Sequence, residues 1–89
     1  MEANKIIITG GATRIGAAIA EKLSGPGKEI VIHFNKSKSN AEKLKKELSK
    51  NGTKIYLVKA DLSKEEDINK IIKFAKSKLK YFDCLINNA

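Results

Sequence analysis

Eighty-nine residues make at most one domain, and a chain this short buries a smaller fraction of its surface than a typical domain of roughly 100–150 residues, so a thin core is expected. Hydrophobic residues at 42% and charged residues at 31%, with one Pro and no low-complexity tract, exclude a disordered chain, and no apolar run approaches the roughly 18 residues of a membrane span. The lone Cys84 excludes an internal disulfide and, with no Cys/His cluster beside it, a zinc site, while the formal net charge of +8 favours an anionic partner.

Lys5-Ile6-Ile7-Ile8-Thr9 is a short, nearly continuous β-branched run, the pattern of a parallel-sheet strand covered on both faces. It is too short and unflanked for a signal peptide, so a reducing, cytoplasmic location is expected. Beyond a glycine loop, Ile15, Ala18, Ile19 and Leu23 recur at helical spacing, predicting a buried helix face that ends at Gly25-Pro26-Gly27. Glu29 to Phe34 is the second strand. Ser39-Asn40-Ala41-Glu42 reads as a capping box that starts the second helix, which turns Ala41, Leu44 and Leu48 inward and stops at Gly52. Thr53 to Lys59 is the third strand. A second capping box at Ser63-Lys64-Glu65-Glu66 opens a third helix expected to bury Ile68, Ile71, Ile72, Ala75 and Leu79. Phe82 to Ile86 is the fourth strand, followed by Asn87-Asn88-Ala89.

Strands alternating with helices predict right-handed crossovers and an α/β fold, the N-terminal half of a Rossmann-like doubly wound parallel sheet in the order 3-2-1-4, all within one domain spanning 1–89. The fourth strand is then an edge that invites pairing, which predicts self-association into a homo-oligomer. Most lysines fall on solvent faces of the second and third helices. Without interleaved aromatics or a groove-reading motif, they do not predict a nucleic-acid partner, and no membrane partner is expected either.

The chemistry lies in Thr9-Gly10-Gly11-Ala12-Thr13-Arg14-Ile15-Gly16, between the first strand and the first helix, where the pyrophosphate of a dinucleotide rests. Gly10 permits the tight turn, Gly16 lets the helix pack closely on the strand, and the helix N-terminus offers amides and partial positive charge. Arg14, the only arginine, can make paired hydrogen bonds to phosphate. At the end of the second strand stands His33-Phe34-Asn35-Lys36-Ser37, with no acid between Glu29 and Glu42. A carboxylate there would bind the ribose hydroxyls of NAD, whereas Lys36 and Ser37 suit the 2′-phosphate of NADP. The competing reading makes Lys36 and Ser37 an ordinary polar turn. His33 is expected to pack at the strand end rather than touch the cofactor, and Cys84 to be an inert core residue.

This loop resembles the Thr-Gly-x-x-x-Gly-x-Gly motif of the short-chain dehydrogenase/reductase family, and Asp61-Leu62 and Asn87-Asn88-Ala89 resemble its later motifs. Arg14 in place of the middle glycine, and the Asn35-Lys36-Ser37 stretch, are similar to the pteridine reductases. The resemblance implies NADP(H) contacts from Gly10, Thr13, Arg14, Ile15 and Gly16, and from Asn35, Lys36 and Ser37 at the 2′-phosphate. It further implies that Asp61 binds the adenine amino group, that Leu62 covers the ring, and that Asn88 and Ala89 flank the nicotinamide ribose, while Asn87 ties strands together. Asp61 can equally be a turn residue ahead of a helix.

The same resemblance implies hydride transfer between NADPH and a carbonyl or pteridine-like small molecule, assisted by a Ser and a Tyr with a Lys four residues later. Four places after Tyr56 is Ala60, and four after Tyr81 is Leu85. No catalytic residue is therefore expected in residues 1–89, and the chain alone is expected to be inactive. The alternatives are a non-catalytic NADP-binding module or a half-domain that needs a complementary piece.

Overall fold

In the computed structural model, which describes residues 4–88, the β-branched run near the start forms β1 (Lys5–Thr9), buried on both faces. It is followed by α1 (Arg14–Leu23), β2 (Glu29–Phe34), α2 (Lys38–Ser49), β3 (Lys54–Lys59), α3 (Glu65–Leu79) and β4 (Cys84–Asn87). The strands form one parallel sheet in the order β3-β2-β1-β4, as the alternation of elements predicts. Side chains of successive strand residues point to opposite faces, so Ile6 and Ile8 join Ile30, Ile32, Ala20, Leu44 and Leu48 under α1 and α2. Ile7 and Val31 lie on the other face with Ile71, Ala75 and Leu79 of α3.

Long-range bonds set the register of the outer strand. The carboxylate of Asp83 accepts the amides of Asn4 and Lys5 at 3.0 and 2.9 Å, which aligns Ile6 with Cys84 and Thr9 with Asn87. This anchoring is why β4 begins at Cys84 and leaves Phe82 exposed ahead of it. Cys84 is half-buried against the α1 side of the core.

Two expectations about helix faces are corrected. Ile15 and Ala18 do not face the core: Gly16 and Ala20 do, and Ile15 is 67% exposed. The reason is the close approach of α1 to the glycine loop, which only the smallest residues permit. In α3, Ile68 and Ile72 are likewise exposed while Ile71, Ala75 and Leu79 are buried. Among the described residues β4 has β1 as its one strand neighbour, and Leu85 is 56% exposed.

Neither capping box forms. Helix α2 starts at Lys38 with Ser37 as its N-cap, so Ser39 is already helical, and Glu42 pairs instead with Lys38 at 4.0 Å. Ser63 is drawn away from the start of α3 because its amide and hydroxyl both donate to Asp61 Oδ1, at 2.9 and 2.7 Å. The start of α3 relies on Glu65, Glu66 and Asp67, whose negative charge complements the positive end of the helix.

The helix ends differ in strain. Gly52, just past α2, takes a φ of +89° at no steric cost, whereas Lys80, just past α3, takes +66° with a side chain in place. Lys80→Gly is expected to raise stability by about 1 kcal/mol, the relief of positive-φ strain outweighing the added entropy of the unfolded chain. Urea unfolding of the two proteins checks this; a loss of stability would mean that Lys80 is unstrained.

Candidate functional site

The glycine loop is tied down from three directions. Thr13 caps α1 by accepting the Gly16 amide at 3.2 Å, while its hydroxyl donates to the Gly10 carbonyl at 2.7 Å. That carbonyl also accepts the Thr13 amide at 3.1 Å and the Asn88 side-chain amide at 3.1 Å, so one oxygen joins the loop, the helix cap and the segment after β4. Asn88 further donates its side-chain amide to the Thr13 hydroxyl and its backbone amide to Thr9 Oγ1, each at 3.1 Å. Asn87 sits opposite Thr9 in the ladder, with its Oδ1 3.2 Å from the Thr9 hydroxyl, a strand tie as its position suggests. Gly10 has a φ of +64°, a conformation that side-chain-bearing residues seldom adopt.

A cleft of about 410 Å³ opens between this loop and the end of β2, lined by Gly10, Thr13, His33, Asn35, Lys36 and Ser37 among others. The structure thus brings residues from two sequence motifs to one surface. Arg14 and Ile15 lie in the first turn of α1, both exposed, and Arg14 lines the neighbouring cleft between α1 and α2 instead. Asp61 and Leu62 stand just beyond β3, both partly buried. Ala89 lies outside the described residues. From its place in the sequence His33 is expected to pack at the strand end. The structure buries it, with its ring between Gly10 and Ala60, and the signal available was a polar residue at the end of an otherwise apolar strand.

The electrostatics favour an anion at the cleft. The amides of the first turn of a helix have no intrahelical carbonyl to bond, and the first turns of α1 and α2 carry no acidic residue, whereas that of α3 carries three. The two helix starts beside the cleft are therefore left positive. The group that best exploits such a start is a phosphate, which accepts from several amides at once. Asp61 is held below the usual carboxylate range, chiefly by the Ser63 hydroxyl and then its amide, with Lys64 and Lys36 adding attraction. It is ionised at neutral pH, and Ser63 engages one of its two oxygens, so the turn role and acceptance of a ligand hydrogen bond are compatible.

Neither tyrosine lines the cleft beside the glycine loop. The Tyr56 hydroxyl donates to Glu29 at 3.3 Å, and burial together with that carboxylate pushes its pKa up. Tyr81 is exposed, with the Lys5 ammonium 4.3 Å from the centre of its ring. Among the described residues no helix is long and apolar enough to cross a membrane.

The family model described as short chain dehydrogenase matches residues 4–89. The chain is similar to the short-chain dehydrogenase/reductase FrzI of a Cladobotryum species, at 36% identity over 93% of the chain but 32% of FrzI. It is also similar to the short-chain dehydrogenase/reductase homolog YusS of Bacillus subtilis, at 33% identity over 97% of the chain and 80% of YusS. Among solved structures, a putative dehydrogenase from Burkholderia cenocepacia with bound NADP matches with a TM-score of 0.86 and 30% identity, covering 97% of this chain and 34% of that one. FolM alternative dihydrofolate reductase 1 from Brucella canis, complexed with NADP, matches with a TM-score of 0.82 and 34% identity over 94% of this chain and 34% of that one. The chain therefore spans about a third of FrzI and of both structures, and most of YusS.

Proposed function

Because the chain belongs to the short-chain dehydrogenase family, we propose that it forms the NADP(H)-binding part of an oxidoreductase that exchanges hydride with a carbonyl or pteridine-like substrate. The observation that carries the cofactor choice is the end of β2, where Asn35, Lys36 and Ser37 line the cleft and no acid occurs between Glu29 and Glu42. NADP in the Burkholderia and Brucella structures supports that reading, and the pteridine-like substrate rests on the Brucella protein's description as an alternative dihydrofolate reductase.

The cradle fits a dinucleotide on its own terms: a Cβ at Gly16 would meet Gly11 Cα at 2.7 Å and Asn88 Nδ2 at 2.9 Å, so the loop is built for the absence of a side chain. The pyrophosphate would lie over Gly10, Thr13 and the first-turn amides of Arg14 and Ile15, with the 2′-phosphate held by Asn35, Lys36 and Ser37. Asp61 would accept the adenine amino group, Leu62 would cover the ring, and Asn88 and Ala89 would flank the ribose near the nicotinamide. The cofactor supplies hydride chemistry; these residues bind and orient it. With Tyr56 engaged by Glu29 and no lysine four places after either tyrosine, residues 4–88 supply no proton to that reaction.

Calorimetric titration of the complete protein is expected to show NADPH binding at least about tenfold tighter than NADH, a difference of about 1.4 kcal/mol. Equal affinities would overturn the 2′-phosphate assignment. A second reading, a non-catalytic NADP-binding module, is favoured by YusS, because 87 aligned residues already make up 80% of it. Binding with no NADPH oxidation by the native full-length gene product, against a panel of carbonyl and pteridine substrates, would select that reading.

A further inference from the structure

The imidazole of His33 is 3% exposed and lies between two backbone groups of opposite character. Its Nδ1 is 3.0 Å from the Gly10 amide nitrogen, and its Nε2 is 2.8 Å from the Ala60 carbonyl oxygen. An amide can only donate and a carbonyl can only accept, so Nδ1 must present its lone pair and Nε2 must carry the proton. The main-chain carbonyl of the same residue accepts the Gly11 amide at 3.1 Å. On the other side of the Gly10–Gly11 peptide, the Gly10 carbonyl faces Thr13 and Asn88. Two consecutive loop amides are thus drawn down onto β2 by one residue, which fixes the orientation of the peptide planes at the turn where Gly10 adopts its positive φ.

We propose that His33, as the neutral Nε2–H tautomer, is the positioning residue of the glycine loop: it holds the Gly10 turn in the shape that leaves the start of α1 open to the pyrophosphate, and it links that turn to the end of β3 beside Asp61. The ring does not touch the phosphate; it acts through Gly10. An apolar residue of similar size would fill the space but leave the Gly10 amide and the Ala60 carbonyl buried without partners. The loop would then relax to find others.

The proposal rests on the dinucleotide reading for its functional consequence, but its structural half is testable alone. His33 is the chain's single histidine, so nitrogen NMR of the ring is unambiguous. The expected spectrum is one tautomer, protonated at Nε2, with slow hydrogen exchange at the Gly10 amide. An Nδ1–H ring, or a rapid mixture of tautomers, would overturn the proposal.

The variants separate positioning from packing. In His33→Asn the side-chain oxygen can stand where Nδ1 stood, so Gly10 should stay protected and NADPH affinity should remain within about threefold of the parent. His33→Gln can reach Ala60 but not Gly10, and His33→Leu can reach neither; both should expose the Gly10 amide and lose NADPH affinity by about tenfold or more. Parental affinity and Gly10 exchange in His33→Gln would overturn the proposal, since a packing role alone would tolerate it. Should His33→Leu fail to fold, the Asn and Gln pair and the parental ring spectrum still decide. Should the parent bind no NADPH, the cofactor reading fails, and the tautomer and Gly10 exchange still judge His33 on their own.

Discussion

Gly16→Val is expected to lower NADPH affinity by about a hundredfold or more while the far-ultraviolet circular dichroism keeps its α/β signature. Gly16 is the third residue of α1 and the point where the helix passes over the loop. A Cβ there would collide with the Gly10 carbonyl oxygen and approach Gly11 Cα at 2.7 Å. Those obstacles are backbone, so no rotamer change relieves them, and the upper end of the ~1–3 kcal/mol typical of overpacking applies. Each 1.4 kcal/mol is a tenfold change in binding, and here the strain falls on the atom that also holds Thr13 and Asn88. The sheet is spared because the two main core clusters are built from other residues. Calorimetry beside circular dichroism measures both halves; unchanged affinity would reduce the loop to a turn.

Lys36→Asp should reverse the cofactor preference. Lys36 lines the cleft beside the glycine loop and is near enough to Asp61 to help hold its carboxyl ionised. Replacing the ammonium by a carboxylate removes one charge-assisted bond, worth about 1.5–3 kcal/mol, and sets a negative charge against the 2′-phosphate. NADPH should bind about ten- to a hundredfold more weakly. NADH should gain, because a carboxylate at the end of the second strand can accept the ribose hydroxyls. A fall in NADPH affinity of less than about threefold would show that Lys36 does not contact the phosphate.

Much of this was legible in the sequence because it is written in short-range pattern. Ile6-Ile7-Ile8, β-branched and bounded by a glycine loop, has the pattern of a strand buried on both faces, and Ala41, Leu44 and Leu48 give the buried face of α2 directly. The stripes of α1 and α3 were misjudged at Ile15, Ala18, Ile68 and Ile72, which are exposed, because periodicity records apolar spacing without recording what lies beneath. Both capping boxes were sound local patterns that other local choices displaced: Ser63 bonds Asp61 two residues before it, and Ser39 lies already inside α2, which starts at Lys38. At the candidate site, the glycines and Lys36 announced themselves by type and place. His33 did not, because nothing in a sequence shows that an imidazole at the end of a strand has the Gly10 amide on one side and the Ala60 carbonyl on the other.

The bond from Asn88 to the Gly10 carbonyl also has a temporal meaning, since it joins residues 78 positions apart. Contacts of such separation repay their loop-closure entropy late, and chains dominated by them fold slowly. The first βαβ segment, residues 5–34, can form the turn at Gly10 and seat it on His33 early, but the carbonyl at its centre waits for the far end of the sheet. On the ribosome, β4 emerges after nearly all of the other described residues. The binding cradle is therefore completed only when β4 joins β1, and a nascent chain that has made the first three strands already has the cleft's walls without the clasp that holds them in register.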